Sequence, residues 1–250
     1  MLENVVDTCQ DLLNDFSPAK KVKDYLCNRV SGEMINRFKF GYFPENKYLE
    51  KLTERVSAEE LSELGIIYDR MVDNDGEYKK QRHGCLEHHN LMMPYLDVYG
   101  RAVALVGRSI LVEEERKFLG IPKYKNTSFD KSRHLFGLYQ AKEEIIKKKE
   151  VYVVEGQFDV ISAHQIGFKN VVAIGGSGMS FEQVALLLRY TEHINLLFDN
   201  DAAGEMGMER CIKSYGEYAK FKKCKIPVGY KDIDEICKEN ELIDIVRMLK

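Results

Sequence analysis

Three features that would decide the class of a protein are missing from this sequence: paired cysteines, long apolar runs and an excess of positive charge. The six cysteines are scattered and form no C-x-x-C pair, which argues against a disulfide scaffold and a zinc ribbon. No apolar run is long enough to span a membrane, and no basic-then-apolar leader opens the chain. With 250 residues, we therefore expect a soluble, cytoplasmic protein of one large or two small domains, without membrane contact.

The net charge of −3 argues against a generic nucleic-acid binder, but the charge is unevenly distributed. Between Arg116 and Lys149 there are ten Lys or Arg residues against three Asp or Glu residues, a local charge of +7. Such a stretch suits an enzyme that holds polyanions by their phosphates. The alternative is a solvated helix face, which the run Lys147 to Lys149 also fits.

The pattern of apolar residues changes along the chain. Residues 1 to about 80 are predicted to be mainly helical, with a loop signal at Asp73 to Gly76. Two apolar runs, 91–96 and 102–108, are separated by a turn and predict an antiparallel hairpin. After residue 138, helices and strands alternate, which predicts right-handed βαβ units and a parallel sheet. The predicted strands of that sheet are 151–155, 170–174, 194–199 and about 221–226.

Two acidic signatures follow predicted buried strands: Glu155 to Asp159, and Asp199 to Asp201. Side chains two apart on a strand point the same way, so Asp199 and Asp201 would converge if the strand continued through them. Carboxylates gathered at the ends of parallel strands call for a cation, and Mg²⁺ takes such oxygen ligands together with substrate phosphates. Alternatively, Glu155 caps a helix and Asp159 interacts favourably with the helix dipole. The nearby Asp199 and Asp201 favour a metal site for phosphoryl transfer.

Five stretches of the sequence resemble known families. Val-Val-Glu-Gly-x-x-Asp at 153–159 and Phe-Asp-x-Asp-x-Ala-Gly at 198–204 resemble the TOPRIM fold of bacterial-type primases, topoisomerases and some nucleases. Within that group, the segments 25–42, 122–127 and 131–138 resemble the DnaG-type primases of bacteria and phages. The resemblance covers roughly residues 20 to 236.

The resemblance implies an α/β fold with two main parts. A basic mixed α/β primase-core subdomain, residues 1–140, would contact nucleotides and nucleic acid. A TOPRIM domain with a parallel sheet flanked by helices, residues 141–236, would bind metal and carry the catalytic residues. A short C-terminal helix is expected at 237–250.

The resemblance also assigns roles to individual residues. The residues with a catalytic role would be Glu155, Asp159, Asp199 and Asp201. Lys-Asp-x-Asp-Glu-Ile at 231–236 resembles a further acidic motif of the family, so the metal ligands would be Glu155, Asp199, Asp201, Asp232 and Asp234. The residues that hold the nucleotide or the template would be Arg108, Lys123, Asn126 and Lys131.

The activity implied by the resemblance is that of a DNA primase, a nucleotidyltransferase that makes short RNA primers on a DNA template during replication. It implies Mg²⁺ or Mn²⁺ as cofactor, and NTPs and a single-stranded DNA template as ligands. A replicative helicase and a separate zinc-binding or template-recognition subunit are the expected protein partners, in the host cytoplasm if the gene belongs to a phage. Two alternatives stay open: a TOPRIM nuclease, and a non-catalytic nucleic-acid-binding replication subunit.

One cluster and one departure from the family pattern need separate mention. His83, Cys85, His88 and His89 are possible zinc ligands, but no second ligand cluster with familiar spacing accompanies them. No structural zinc is therefore expected. The family usually places Arg before the strand that matches Met92 to Pro94, whereas this chain has Asn90 there, which weakens the transfer of template contacts to this segment.

Overall fold

The computed structural model describes residues 1–74, 77–176, 178–240 and 242–248. The chain forms two compact units: residues 1–95 with 101–129, and residues 96–100 with those from 130 onwards. The domain limits expected from the sequence, near residues 140 and 236, stay predictions.

The helices and strands follow one another along the chain. Up to residue 129 they are α1 (Leu2–Asp15), α2 (Lys20–Cys27), α3 (Gly32–Arg37), β1 (Gly41–Tyr42), α4 (Glu50–Thr53), α5 (Ala58–Glu63), β2 (Ile67–Asn74), β3 (Glu77–Gly84), β4 (Leu91–Leu96), β5 (Ala102–Arg108), α6 (Glu113–Leu119) and β6 (Tyr124–Asn126). After it they are α7 (Leu138–Lys148), β7 (Val151–Val154), α8 (Gln157–Gln165), β8 (Val171–Ala173), α9 (Phe181–Leu187), β9 (His193–Leu196), α10 (Ala202–Tyr215), β10 (Lys220–Lys223), α11 (Ile233–Glu239) and α12 (Leu242–Met248).

The first unit is built on a four-stranded sheet with the order β1-β4-β5-β6. Strand β1 pairs antiparallel with β4, and β5 pairs antiparallel with β6. Helix α1 buries the apolar face that contains Val5, Cys9 and Leu12. It packs so closely on β1 that a Cβ at Gly41 would lie 2.7 Å from Cys9. The predicted strands at 91–96 and 102–108 are confirmed as neighbours in this sheet.

Strands β2 and β3 form a separate antiparallel ribbon, paired from Ile67 with Gly84 to Asn74 with Glu77. The prediction that residues up to about 80 are mainly helical is therefore wrong for 67–74 and 77–80. The apolar and aromatic residues Ile66, Ile67 and Tyr68 before an Asp-Gly pair are typical of a hairpin, and this local preference prevails over helix propensity. The predicted loop at Asp73 to Gly76 falls partly on residues 75 and 76, which lie outside the described residues.

The second unit contains a four-stranded sheet with the order β10-β9-β7-β8. All three strand pairs are parallel, as predicted from the alternation of helices and strands. Val151, Val153 and Leu196 belong to its fully buried apolar core, which explains the short apolar runs that predicted these strands. Among the described residues of the chain, no helix combines the length and apolarity needed to cross a membrane.

Candidate active site

Two carboxylates meet where the central strands of the parallel sheet end. Glu155 follows β7 directly, and Asp199 lies three residues beyond the end of the neighbouring strand β9. The backbone N–H of Asp199 donates a hydrogen bond to Oε1 of Glu155 over 3.2 Å. Because β7 and β9 are parallel neighbours, their carboxyl ends bring these two residues together, as the sequence pattern predicted.

Asp201 lies at the start of a helix and not on the strand that precedes it. Strand β9 ends at Leu196, short of the predicted limit at 199, so Asp199 and Asp201 do not lie on one extended strand and the condition for their convergence along a strand is not met. Asp201 instead caps α10, where its Oδ1 accepts a hydrogen bond from the backbone N–H of Gly204 over 2.8 Å. A Cβ at Gly204 would lie 2.2 Å from the carbonyl oxygen of Asp199, so the turn requires glycine there.

Asp159 is a buried carboxylate of the site, with 8% of its surface exposed, the same fraction as Asp234. Its Oδ2 accepts a hydrogen bond from the backbone N–H of Gly156 over 3.0 Å at the start of α8. Its Oδ1 accepts a longer one, over 3.3 Å, from the backbone N–H of Asp234 in α11. Asp159 therefore joins the beginnings of two helices, and the helix-start interpretation describes its backbone contacts correctly.

The two acidic residues of the last motif differ in their contacts. Asp232 caps α11 by accepting a hydrogen bond from the backbone N–H of Glu235 over 2.9 Å. Asp234 is buried, its Oδ1 accepts a short hydrogen bond from the Ser162 hydroxyl, and its Oδ2 pairs with the Lys238 ammonium at 2.7 Å. Sequence reasoning missed Ser162 and Lys238, although Lys238 lies four residues after Asp234 on α11, a spacing at which helical side chains meet.

The loop that carries Asp199 is held to the loop before Asp232 by Asn200. The backbone N–H of Asn200 donates to the carbonyl of Lys231 over 2.8 Å, and its side-chain amide donates to the carbonyl of Tyr230 over 3.1 Å. These contacts bring the acidic motifs around 199 and 232 to the same place.

The pKa values of the carboxylates show that they share one electrostatic environment. Burial and then the charge of Asp199 raise the pKa of Glu155, with Asp201 adding to the effect. Burial and the charges of Asp232 and Asp199 raise the pKa of Asp159 to about 8. A cation bound among these groups would offset the repulsion that adds to burial in raising both pKa values.

The donor type and the charge of this cluster fit a divalent metal ion. Hard cations such as Mg²⁺ take carboxylate oxygens, and the cluster offers several in one partly buried place. Among the side chains that the structure describes, however, no three His, Cys, Asp or Glu residues stand close enough to hold a metal ion as they are placed. The cluster would have to close by side-chain movement to coordinate one.

The predicted nucleotide- and template-binding residues divide between the two units. Lys131 belongs to the second unit, where its ammonium donates to the carbonyl of Gly175 over 2.8 Å. The backbone N–H of Gly175 in turn donates to the carbonyl of Glu155 over 3.0 Å. Lys131 is thus linked to the backbone that carries Glu155.

The other three predicted residues lie in the first unit, around β6. Arg108 is 8% exposed, donates a short hydrogen bond to the Tyr124 hydroxyl, and lies over the Tyr124 and Tyr25 rings at 5.2 and 5.7 Å from their centroids. The Lys123 ammonium lies 5.7 Å from the centroid of the Tyr124 ring. Asn126 pairs with Val106 between β5 and β6. The buried Arg108 therefore forms a cation–aromatic cluster with two partly buried tyrosines.

The possible zinc ligands of the first unit have other contacts. His89 is buried, and its Nε2 lies 2.8 Å from the carbonyl oxygen of Pro122. His83 Nδ1 lies 2.8 Å from the side-chain nitrogen of Asn46, and Cys85 is buried with a raised pKa caused by desolvation. No group of ligands suited to a metal forms among these described residues.

Two family models match this chain, and the boundary between their matches lies close to the boundary between the two groups of sequence motifs. Residues 10–142 match the model of the DNA primase catalytic core, N-terminal domain, and residues 152–237 match a Toprim-like model. The first match alone covers more than half of the chain.

Similar proteins agree with these models. A DNA primase of Synechococcus elongatus is 35% identical over 238 residues, which are 90% of this chain and 33% of that protein. A DNA primase of Legionella pneumophila is 35% identical over 200 residues, 76% of this chain and 32% of that protein. The chain thus spans about a third of the length of these curated relatives.

A solved structure extends the similarity to the fold. The crystal structure of the zinc-binding and RNA polymerase domains of the Aquifex aeolicus primase superimposes with a TM-score of 0.81 at 27% identity, covering 99% of this chain and 59% of that one. Together with the acidic cluster on a parallel sheet, these matches show that the chain belongs to the DnaG-type DNA primase family and contains its TOPRIM fold.

Proposed function

We propose that this chain is the catalytic core of a DNA primase and joins ribonucleotides into short RNA primers on a single-stranded DNA template. The hydrogen bond from the backbone of Asp199 to the carboxylate of Glu155 is the observation that carries the proposal. It brings together the two acidic motifs of a TOPRIM site at one edge of the parallel sheet. The family match over residues 10–142 favours a primase over a TOPRIM nuclease, because it extends beyond the TOPRIM part of the chain.

The reaction would be a nucleotidyl transfer. The 3′-hydroxyl of the growing primer would attack the α-phosphorus of an incoming NTP, a new P–O bond would form, and the bond to the β-phosphate would break with release of pyrophosphate. Mg²⁺ or Mn²⁺ bound to the cluster would supply positive charge to the phosphates and lower the pKa of the attacking hydroxyl. We assign Glu155, Asp199, Asp201, Asp232 and Asp234 as the residues that would hold it.

The protein residues have further proposed roles. Asp159 would position α8 and α11 around the cluster through its two backbone hydrogen bonds. Lys131 and Lys123 would neutralise phosphates as point charges, and Arg108 could bind two phosphate oxygens at once. Asn126 would contribute a polar contact to the nucleotide or template.

Two protein partners are proposed on the family relationship. A replicative helicase would bring the enzyme to the template, and a zinc-binding module or subunit would select the starting site. The Aquifex aeolicus primase structure contains a zinc-binding domain beside its RNA polymerase domain, which supports this second proposal.

The decisive experiment is an assay of primer synthesis. The purified chain is incubated with an unlabelled single-stranded DNA template and labelled NTPs, with Mg²⁺, with Mn²⁺ or with EDTA, and the products are separated by length. Oligoribonucleotides that require both template and metal are expected. In parallel, an end-labelled template is followed for cleavage.

The outcomes separate the three candidate functions. Template-dependent oligoribonucleotides support a primase. Metal-dependent shortening of the labelled template without ribonucleotide incorporation would identify a nuclease. Template binding without either product, over all three metal conditions, would identify a non-catalytic subunit.

A further inference from the structure

The ribbon of β2 and β3 is an exposed surface to which no role has yet been given. Its strands pair at eight positions, from Ile67 with Gly84 to Asn74 with Glu77. Ile67 and Gly84 are buried, whereas Tyr68 to Met71 and Glu77 to Arg82 are exposed. At about 3.3 Å per residue, the exposed part is roughly 13 Å long in β2 and roughly 20 Å long in β3. The ribbon is therefore anchored at one end and accessible along most of its length.

The two faces of the ribbon carry different side chains. Residues two apart on a strand, and residues paired across strands, share a face. We call one the ribbon face; it is formed by Tyr68, Arg70 and Val72 of β2 and by Lys79, Gln81 and His83 of β3. We call the other the opposite face; it is formed by Asp69, Met71 and Asp73 of β2 and by Tyr78, Lys80 and Arg82 of β3.

Charges on the opposite face compensate one another. The Asp69 carboxylate lies 2.9 Å from the Lys80 ammonium and 3.4 Å from Nε of Arg82. On the ribbon face, Lys79 pairs with Glu77 at 3.2 Å, while Arg70 forms no ion pair within the part of the chain that the structure describes. Arg70 is also exposed, so the ribbon face offers an arginine to an anionic ligand.

The ribbon face also carries an aromatic platform. The rings of Tyr68 and His83 are stacked, with centroids 5.7 Å apart and an interplanar angle of 20°. Tyr68 nevertheless remains 43% exposed, so its ring is supported by one neighbour and still accessible to a ligand. An exposed ring beside an arginine is the combination that binds the bases and phosphates of a single strand.

The ribbon face borders a cavity of about 780 Å³ in the same unit. Gln81 and His83 of the ribbon face and Arg82 of the opposite face line it from the ribbon, and Lys21 and Lys47 line it from elsewhere in the unit. Ser109, only 3% exposed, also lines this cavity, and its hydroxyl has no hydrogen-bond partner among the described residues. A ligand in the cavity can therefore continue along the ribbon face.

We propose that the ribbon face binds single-stranded nucleic acid, with the Tyr68 ring stacking on a base and Arg70 contacting a phosphate. The inference rests on the proposed function in taking the DNA template as the natural ligand. It adds a contact surface outside the acidic cluster and outside the sequence motifs at 108–138. A duplex would hide its bases from the ring, so the unpaired strand is the expected ligand.

Binding is measured with fluorescein-labelled oligodeoxythymidylate by fluorescence anisotropy, in EDTA and without NTPs. Tyr68→Ala is compared with Tyr78→Ala, and Arg70→Gln with Lys80→Gln, so that each test variant has a control of the same kind on the opposite face. Loss of one stacked base predicts about tenfold weaker binding for Tyr68→Ala. Loss of one phosphate contact predicts a salt dependence shallower by about 0.7 in the log–log slope for Arg70→Gln. The affinity of both control variants is expected to stay within about twofold of that of the unchanged protein, since these substitutions remove no contact to the strand.

Several outcomes would overturn the inference. The inference is wrong if the variants of both faces lose affinity for the single strand equally, or if neither test variant loses affinity. It is also wrong if the test variants lose as much affinity for an RNA–DNA hybrid duplex as for the single strand. Tyr68→Leu removes the ring but keeps a larger apolar side chain than alanine, so it replaces Tyr68→Ala if circular dichroism shows that the alanine variant is unfolded. This binding assay contains no NTP and no metal. Its result therefore does not depend on whether the chain synthesises primers, and a failure of the proposed function can be told apart from a failure of this inference.

Discussion

The carboxylate of Asp159 accepts a hydrogen bond from the backbone N–H of Asp234 over 3.3 Å, and thereby ties α8 to α11. Few of its atoms reach solvent, and the charges of Asp232, Asp199 and Asp234 surround it. The sequence motif marks both residues as acidic, but only the structure shows that one holds the backbone of the other. The same carboxylate is thus an electrostatic and a structural centre of the site.

The first prediction concerns the pH dependence of stability. Because the pKa of Asp159 is raised to about 8 in the folded protein, the folded state keeps a proton that the unfolded chain releases near pH 4. The stabilisation is complete below about pH 4 and is lost as the pH rises to about 8. In EDTA, the free energy of unfolding should fall across this range by up to about 1.4 kcal/mol per pH unit. Asp159→Asn should flatten the slope.

Urea denaturation at a series of pH values measures this effect. Asp7→Asn is the matched control, since Asp7 is an exposed residue of α1. Equal slopes for Asp159→Asn and Asp7→Asn would show that Asp159 does not titrate in this range.

The second prediction concerns catalysis by the paired carboxylates. Glu155→Gln and Asp199→Asn should each lower the rate of primer synthesis at least about 100-fold, the usual effect of losing an electrostatic stabiliser. Glutamine keeps an oxygen that can accept the hydrogen bond from Asp199, and removing one like charge relieves repulsion. Stability should therefore stay equal or rise. Glu182→Gln, an exposed residue at the start of α9, serves as the control. Near-normal primer synthesis by both test variants would show that Glu155 and Asp199 have a structural role and no role in the reaction.

The third prediction concerns the close approach at Gly204. Gly204→Ala places a Cβ against the carbonyl oxygen of Asp199, and forcing an atom into a filled place typically costs about 1–3 kcal/mol. Gly32→Ala is the control, since a Cβ there meets nothing within 4 Å. It should stabilise the protein by about 0.4–1 kcal/mol. Thermal or urea unfolding of the two variants gives the comparison, and equal stabilities would refute the close approach at Gly204.

The fourth prediction separates two lysines that the family motifs treat alike. Lys131→Ala and Lys123→Ala should both weaken template binding, each with a log–log salt slope shallower by about 0.7 for a single strand. Only Lys131→Ala should also lower the free energy of unfolding, by about 1 kcal/mol, because it removes the hydrogen bond to Gly175. Lys147→Ala, at an exposed position near Glu144, is the control. If both test variants bound like the control at every salt concentration, these lysines would belong to a solvated surface.

The parallel sheet could be predicted because its signals are local. Apolar runs such as Val151 to Val154, separated by helix signals such as the capping box at Ser180 and Gln183, indicate buried strands and the helices between them. The meeting of Glu155 with Asp199 follows from that topology. The position of Asp201 does not, because the strand ends at Leu196 and Asp201 caps α10, where a local hydrogen bond with Gly204 holds its side chain.

The β2–β3 ribbon could have been predicted from its Asp-Gly pair, but polar, exposed strands lack the apolar alternation that identifies most strands. The partners of Asp234 depend on contacts between α8 and α11, since Ser162 lies 72 residues away in the sequence. Spacing along the chain carries no information about such a pair.

The short segment 96–100 has a consequence for dividing this protein. It belongs to the second unit although residues of the first unit lie on both sides of it in the sequence. Val98 packs against the core of the second unit, its carbonyl accepts a hydrogen bond from Lys142 over 2.8 Å, and Gly100 lies against the Tyr139 ring. A fragment beginning at residue 130 would leave this part of the core uncovered. The second unit therefore cannot be moved to another protein as one continuous segment, and a hybrid protein would need to exchange both pieces of chain together.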